Sequence, residues 1–300
     1  MTAWFAAIGL LNAAWELNDT AATLHWRPLT CDSDAPPVVP VLRSHVPIEV
    51  LVEHILTHDE WSEAEKLTTT HGFPKGIGVK NQKWNPSSAA RGLVQAADEH
   101  GNRLLISLAS DLGPAEKGKD NAPGALPMPI TQIANNSSYT AVALRRTAFG
   151  SKDIRQNITE VLNALTALNA GYGLEQCDGG MDRVTTDPGI NGLGVDAGRL
   201  TRTAIAPLAV FGESRVGVGL SGGAGVTNRS VALPLPVQPL TAPELRTLTH
   251  IGLAKPSWDW SNHGLGWVYR AHRQKKGDYE YVWTGSPVKR AEVKRNSMNR

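Results

Sequence analysis

The chain has few cysteines and no apolar run long enough to cross a bilayer. Its two cysteines, Cys31 and Cys177, are far apart, which excludes a disulfide framework and a cysteine-only metal knuckle and is typical of reduced, buried thiols in a cytosolic protein. The apolar stretch from Trp4 to Leu17 contains Asn12 and Glu16, has no basic segment before it, and is too short for a membrane span or a signal peptide. We therefore expect a cytoplasmic protein with no membrane partner.

Nucleotide-binding motifs are also scarce. No G-x-x-x-x-G-K-[ST] phosphate loop occurs in the sequence. The segment from Gly217 to Gly222 fits G-x-G-x-x-G, but no helical pattern follows it, so we favour a tightly turning loop. We expect a protein that is not an enzyme and that has no cofactor. The alternatives are a small-molecule-binding enzyme that uses the glycine-rich residues 171–225, or a structural scaffold.

One pair of histidines has a spacing seen in metal sites. His54 and His58 are four residues apart on a predicted helix, so they share one face of it. The motif H-E-x-x-H is absent, and the sequence indicates no third ligand. We therefore favour a surface pair and expect no metal.

What the sequence does contain is a mixture of helical and strand periodicity. The clearest helical stripe begins at Ile154 and recurs every three to four residues up to Leu168, and Thr241 with Glu244 forms a capping box. The predicted fold class is α+β, with helices and short, mostly antiparallel strands that include a C-terminal β-hairpin. The predicted helices cover residues 3–17, 47–58, 87–99, 151–170 and 241–250. The predicted strands cover residues 23–26, 38–43, 204–211, 215–220 and 231–237, and residues 104–108 form a short helix or strand.

The chain divides into two regions by composition. Residues 1–150 form an N-terminal α/β region with a basic loop at 71–85, and residues 151–300 hold a helix and a glycine-rich β region that ends in a basic hairpin and tail. Aromatic residues alternate on both sides of a basic turn between Gly266 and Trp283, which is typical of a hairpin. Residues 271–300 carry eight basic and three acidic side chains, although the whole chain has a net charge of only +2.

Basic residues beside amides and aromatic rings predict contacts with nucleic acid. Lysine and arginine neutralise phosphates, amides read base edges, and rings stack on bases. The candidate nucleic-acid-binding residues are Lys75, Lys80, Asn81, Gln82, Lys83 and Trp84 in the basic loop, Arg145 and Arg146 after a polar turn, and Arg270, Arg273, Lys275 and Lys276 in the hairpin. The alternative is that the hairpin rings belong to the core and the lysines are ordinary solvated charges.

The order of these elements resembles a known family. The chain is similar to the large subunits of type I CRISPR surveillance complexes (Cascade), particularly subtype I-G, formerly I-U, over residues 1–250. The likeness is a layout of elements and glycines rather than a signature motif. Its segments are Ile8–Leu11, Leu24–Trp26, Val41–Ser44, Leu51–Val52, Leu105–Asp111, Met128–Ile130, Ala204–Phe211 and Leu233–Leu235.

The resemblance implies a non-catalytic role. Such large subunits lie near the 5′ handle of the guide RNA, inspect the protospacer-adjacent motif of double-stranded target DNA, and present a surface to a helicase-nuclease. The implied partners are therefore the other Cascade subunits, guide RNA, target DNA and the helicase-nuclease. This chain is shorter than such subunits and has no evident C-terminal helical bundle, and no functional residue carries over from the family.

Overall fold

A computed structural model describes residues 2–28, 38–71, 95–106, 146–169, 192–216, 230–250, 264–276, 279–282 and 286–289. The helices are α1 Thr2–Glu16, α2 Ile48–Leu56, α3 Glu60–His71, α4 Arg103–Ile106, α5 Ile154–Asn169, α6 Gly192–Val216 and α7 Ala242–His250, and residues 95–99 are also helical. The strands are β1 Thr23–Pro28, β2 Val38–Arg43, β3 Ser230–Pro236, β4 Leu265–Lys276, β5 Tyr279–Val282 and β6 Ser286–Lys289. The predicted α+β class is confirmed.

Helices α1 and α6 form the centre of the molecule. The side chains of residues 3–14 are all buried, so α1 is covered on every side. Its main partner is α6, and the two backbones come closest at Gly9 and Gly212. A Cβ atom on Gly212 would collide with the carbonyl oxygen of Phe5, and one on Gly9 would collide with that of Leu208. Only glycine therefore permits this close crossing.

Two antiparallel sheets lie beside the helices. β1 pairs with β2 from Thr23 opposite Arg43 to Pro28 opposite Val38. A pair of hydrogen bonds joins this ribbon to the segment after β3. The amide of Leu24 donates to the carbonyl oxygen of Leu240 at 2.8 Å, and the amide of Leu240 donates to the carbonyl oxygen of Leu24 at 3.0 Å.

The second sheet is built around the long strand β4. β3 pairs with it from His272 to Leu265, with a register shift between Leu235 and Pro236. β5 pairs with residues 273–276, and β6 pairs with residues 267–270, both antiparallel. The predicted C-terminal hairpin is thus present in the backbone pairing of β4 and β5, while its turn residues 277–278 lie outside the described residues.

One hydrophobic core takes residues from both regions of the sequence. Its largest fully buried side chains include Trp4 of α1, Trp26 of β1 and Phe211 of α6. The rings of Trp4 and Trp26 stack with centroids 6.3 Å apart, and the indole N–H of Trp4 donates to the carbonyl oxygen of Pro234 at 2.8 Å. This ties the N-terminal helix to the C-terminal sheet.

Two predicted strands are wrong. The segments Ala204–Phe211 and Arg215–Leu220 were expected to be strands, but residues 204–216 belong to the 25-residue helix α6, and residues 217–220 lie outside the described residues. Residues 204–211 are apolar and buried almost throughout, and a short continuous apolar run does not distinguish a buried strand from a buried helix. Pro207 within the run also argued against a helix, yet α6 contains it.

Smaller differences concern the ends of elements. The helix predicted over 47–58 ends at Leu56, and a separate helix, α3, begins at Glu60 and extends to His71. The first residue of the predicted basic loop, His71, is therefore helical. Most of the basic loop at 71–85 lies outside the described residues.

Among the described residues, none of the helices combines the length and the apolar character needed to cross a bilayer.

Candidate functional site

Charged side chains from four elements meet at one end of α6. We call this group the Glu16 cluster; its members are Glu16, His54, His58, Glu60 and Arg215. Glu16 ends α1, His54 lies in the last turn of α2, and His58 lies between α2 and α3. Glu60 begins α3, and Arg215 lies at the C-terminal end of α6.

Arg215 links the two carboxylates of the cluster. Its Nε donates to Oε1 of Glu16 at 2.8 Å, and its Nη1 donates to Oε2 of Glu60 at 2.9 Å. Its guanidinium lies 3.9 Å above the ring centre of Phe211, and its side chain is only 1% exposed. A buried guanidinium with two carboxylate partners and a ring beneath it is well compensated for its loss of water.

The second oxygen of Glu16 faces both histidines. Oε2 lies 3.1 Å from Nε2 of His54 and 3.5 Å from Nε2 of His58. Burial would raise the pKa of Glu16, but hydrogen bonds from the two histidines and the charge and hydrogen bond of Arg215 outweigh it and hold the pKa well below its ordinary value. Glu16 is therefore a carboxylate at neutral pH.

The cluster carries an excess of negative charge when its histidines are neutral. Two carboxylates face one guanidinium, which leaves one formal negative charge beside two imidazoles. The side chains of Glu16, His54 and His58 are 25%, 24% and 21% exposed, so a small solute can reach them from solvent. This arrangement can accept a cation or a proton.

The three solvent-accessible groups have the spacing of metal ligands. Each of Glu16, His54 and His58 offers one ligand atom, and these three atoms lie within 4.8 Å of one another. Nitrogen and oxygen ligands about 2.0–2.2 Å from a tetrahedral zinc ion are themselves about 3.4 Å apart, close to the contacts that Glu16 makes with the histidines. Two histidines and one glutamate are also a donor set that zinc accepts.

The sequence indicated only part of this cluster. The spacing of His54 and His58 was recognised, but they are half-buried partners of a carboxylate rather than a free surface pair. Glu16 is 38 residues from His54 and at the end of a helix whose other residues are apolar apart from Thr2 and Asn12. Nothing local in the sequence connects the two positions, and Arg215 comes from a segment that was predicted as a strand.

The second candidate surface is the basic hairpin, which we define as β4 and β5. It holds four predicted nucleic-acid-binding residues on one strand, namely Arg270, Arg273, Lys275 and Lys276. Pairing with β3 ends at His272 and pairing with β6 ends at Arg270. Beyond that point β4 pairs only with β5 among the described strands, as a two-stranded extension of the sheet.

Strand alternation divides the hairpin cations between two faces. Arg270 and Lys276 share the face that also carries Gln274, whereas Arg273 and Lys275 share the opposite face. In the register, Lys276 lies opposite Tyr279 and Lys275 lies opposite Glu280. The first face therefore combines cations with an amide and a tyrosine, and the second includes an acidic residue.

Of the other predicted contacts, only Arg146 lies within the described residues. Arg146 forms a 2.6 Å ion pair with Glu160, and its carbonyl oxygen accepts a hydrogen bond from Asn157, so its guanidinium already has a protein partner. The remaining predicted residues lie outside the described residues: Lys75, Lys80, Asn81, Gln82, Lys83, Trp84 and Arg145.

The glycine-rich motif is not preceded by a strand. Gly217–Gly222 lies outside the described residues, but the segment immediately before it is the end of helix α6. Residues 219–223 of the same segment also match G-x-S-x-G, a motif that the sequence reasoning overlooked. Both motifs act at a turn between a strand and a helix, so a preceding helix does not favour dinucleotide binding or a nucleophile elbow here.

Comparison with protein-family models, with curated proteins and with solved structures finds no match to this chain. The functional assignment therefore rests on the chemistry of the Glu16 cluster and the basic hairpin.

Proposed function

We propose that this chain is a non-catalytic nucleic-acid-binding protein that contacts double-stranded DNA through the basic hairpin. The observation that carries the proposal is the register of β4, which extends past its partners β3 and β6. The extension brings Arg273, Lys275 and Lys276 into a two-stranded ribbon with β5, and Arg270 lies at the base of that ribbon. The major groove of B-DNA is about 12 Å wide and admits a two-stranded β-ribbon. Proteins that read DNA with strands use this geometry.

The face that carries Arg270, Gln274 and Lys276 is the better DNA-binding face. Lys276 lies opposite Tyr279 of β5, and Arg270 lies opposite Ala232 of β3 and Ser286 of β6, so neither cation has an acidic residue opposite it. Lys275 on the other face is opposite Glu280. On the DNA-binding face, the two positions opposite β5 are Gln274 with Tyr281 and Lys276 with Tyr279. Cations supply affinity for phosphates, and an amide can read a base edge.

The resemblance to Cascade large subunits supports a narrower form of the proposal. In this form the chain acts in the cytoplasm as a subunit of a CRISPR effector, contacts the guide RNA, and recognises the protospacer-adjacent motif of target DNA. Its partners are then the other Cascade subunits and the helicase-nuclease. The order α1, β1, β2, α2 follows the layout expected for the family, but the later segment Ala204–Phe211 is helical and no longer contributes a strand to the likeness.

Face-specific variants test the hairpin proposal. In fluorescence anisotropy with a labelled DNA duplex at low salt, Arg270→Ala with Lys276→Ala is expected to weaken binding by about tenfold or more, because each lost phosphate contact removes affinity for any sequence. Arg273→Ala with Lys275→Ala is expected to weaken binding less.

A charge-matched control comes from a different element of the fold. Lys152 and Arg155 are exposed near the start of α5, so changing both to alanine removes the same charge without touching β4. This variant is expected to bind the duplex within about twofold of the wild type, since distant exposed charges are screened. Equal losses in all three double variants would mean that net charge alone drives binding, and no loss in any of them would overturn the proposal.

A further inference from the structure

We propose that the Glu16 cluster is a binding site for a divalent transition-metal ion, with zinc as the best fit. The three ligands are Oε2 of Glu16, Nε2 of His54 and Nε2 of His58. Oε2 lies 3.1 and 3.5 Å from the two nitrogens, close to the separation of ligands around a tetrahedral zinc ion, and one ligand atom of each residue lies within 4.8 Å of the others. The site is independent of the hairpin, so it goes beyond the proposed nucleic-acid function.

The surroundings of the three ligands favour a cation. Arg215 holds Oε1 of Glu16 at 2.8 Å, which fixes the carboxylate and leaves Oε2 directed at the histidines. A group that orients a metal ligand from its far side is a regular feature of zinc sites. The formal charges of Glu16, Glu60 and Arg215 sum to a negative value. A bound cation neutralises this negative charge, which water screens only in part.

The donor atoms of the three ligands favour zinc over calcium or magnesium. Calcium takes six to eight oxygen ligands and magnesium prefers octahedral oxygen ligands and water, whereas imidazole nitrogen suits zinc and its transition-metal neighbours. Three protein ligands leave a fourth position that faces solvent, because each ligand side chain is about one quarter exposed.

Metal binding has a specific consequence for His58. Its Nδ1 lies 3.3 Å from the amide nitrogen of Glu60, and its Nε2 lies 3.5 Å from Nη2 of Arg215. Coordination through Nε2 leaves the ring proton on Nδ1 and displaces Nη2 of Arg215, so the long contact to the Glu60 amide is lost. Binding is therefore coupled to a small rearrangement between α2 and α3.

The metal would connect separate elements of the fold. Glu16 ends α1, His54 belongs to α2, and His58 precedes α3, so one ion ties all three together. Zinc that binds the folded chain and not the unfolded one must stabilise it. Thermal stability therefore reports binding without any assumption about activity.

The test uses full-length protein purified without a histidine tag and treated with chelator. Zinc added in slight molar excess is expected to raise the melting temperature and to bind with one-to-one stoichiometry in calorimetry. Cobalt(II) is expected to give the visible spectrum of a four-coordinate site. His54→Gln and Glu16→Gln are each expected to weaken zinc binding by about tenfold or more, since each removes a ligand.

A matched control is His100→Gln. His100 also has a carboxylate partner, Glu63, at 3.1 Å, but its side chain is 55% exposed and no third ligand group accompanies this pair among the described residues. This variant is expected to bind zinc like the wild type. Absence of stoichiometric zinc binding by the wild-type chain, or equal loss in His54→Gln and His100→Gln, would overturn the proposal. A melting temperature that zinc leaves unchanged would overturn it as well.

Discussion

At the scale of single residues, Arg215 is a buried charge that depends on its protein partners. Its side chain is 1% exposed and its guanidinium pairs with carboxylates from α1 and α3. A second ion pair, between Arg146 and Glu160, is chemically similar, but its side chains are 21% and 39% exposed. Burial decides how much free energy of unfolding is lost when an ion pair is broken, because a buried charge that loses its partner has no water to replace it.

Arg215→Met is expected to lower the free energy of unfolding by roughly 3–5 kcal/mol, because it leaves Glu16 and Glu60 without their shared partner. Urea unfolding at neutral pH in metal-free buffer measures the loss. Arg146→Met is the comparison, with an expected loss below about 1 kcal/mol for a pair near the surface. Similar losses for the two variants would show that Arg215 is not the buried link described above.

At the scale of elements, the sequence predicts best the helices and strands with one exposed side. The stripe of α5, the capping box of α7 and the strands β1, β2 and β3 all lie where periodicity and turn residues indicated. The amide of Thr241 donates to the carboxylate of Glu244 at 2.8 Å, as the capping box implies, and the hydroxyl of Thr241 donates to the same carboxylate oxygen at 2.7 Å. Residues 204–211 of α6 were predicted as a strand because a short, continuous apolar run fits a buried strand as well as a buried helix. Helix α3 was missed because only Trp61, Ala64 and Leu67 of its 12 residues are apolar.

The crossing of α1 and α6 gives a prediction at this scale. Gly212→Ala is expected to lower the free energy of unfolding by about 2 kcal/mol or more, because the new methyl group meets the backbone of Phe5 and Gly9 and forces the helices apart. Urea unfolding again measures it. Gly101→Ala serves as the comparison: nothing lies within 4 Å of its Cβ position, so its cost, about 1–2 kcal/mol, comes only from a positive φ of 66°. A tolerated Gly212→Ala would contradict the close crossing.

At the scale of the whole molecule, distant parts of the sequence form one core and one cluster. Trp4 forms a hydrogen bond with Pro234, 230 residues away, and Glu16 forms one with Arg215, 199 residues away. Composition and local pattern predicted the fold class and the basic hairpin, since both depend on neighbours in sequence. The Glu16 cluster could not be predicted in this way, because its members come together only through the packing of α1 on α6.

The central claim is that this chain binds DNA through phosphate contacts of the basic hairpin. The most direct measurement is the dependence of its affinity for a DNA duplex on salt concentration. For wild type we expect log K to fall with log salt at a slope of roughly −2 to −4, as two to four phosphate contacts imply, and the slope of Arg270→Ala with Lys276→Ala to be smaller by about 2. A slope near zero, or one that this double variant leaves unchanged, would contradict the claim.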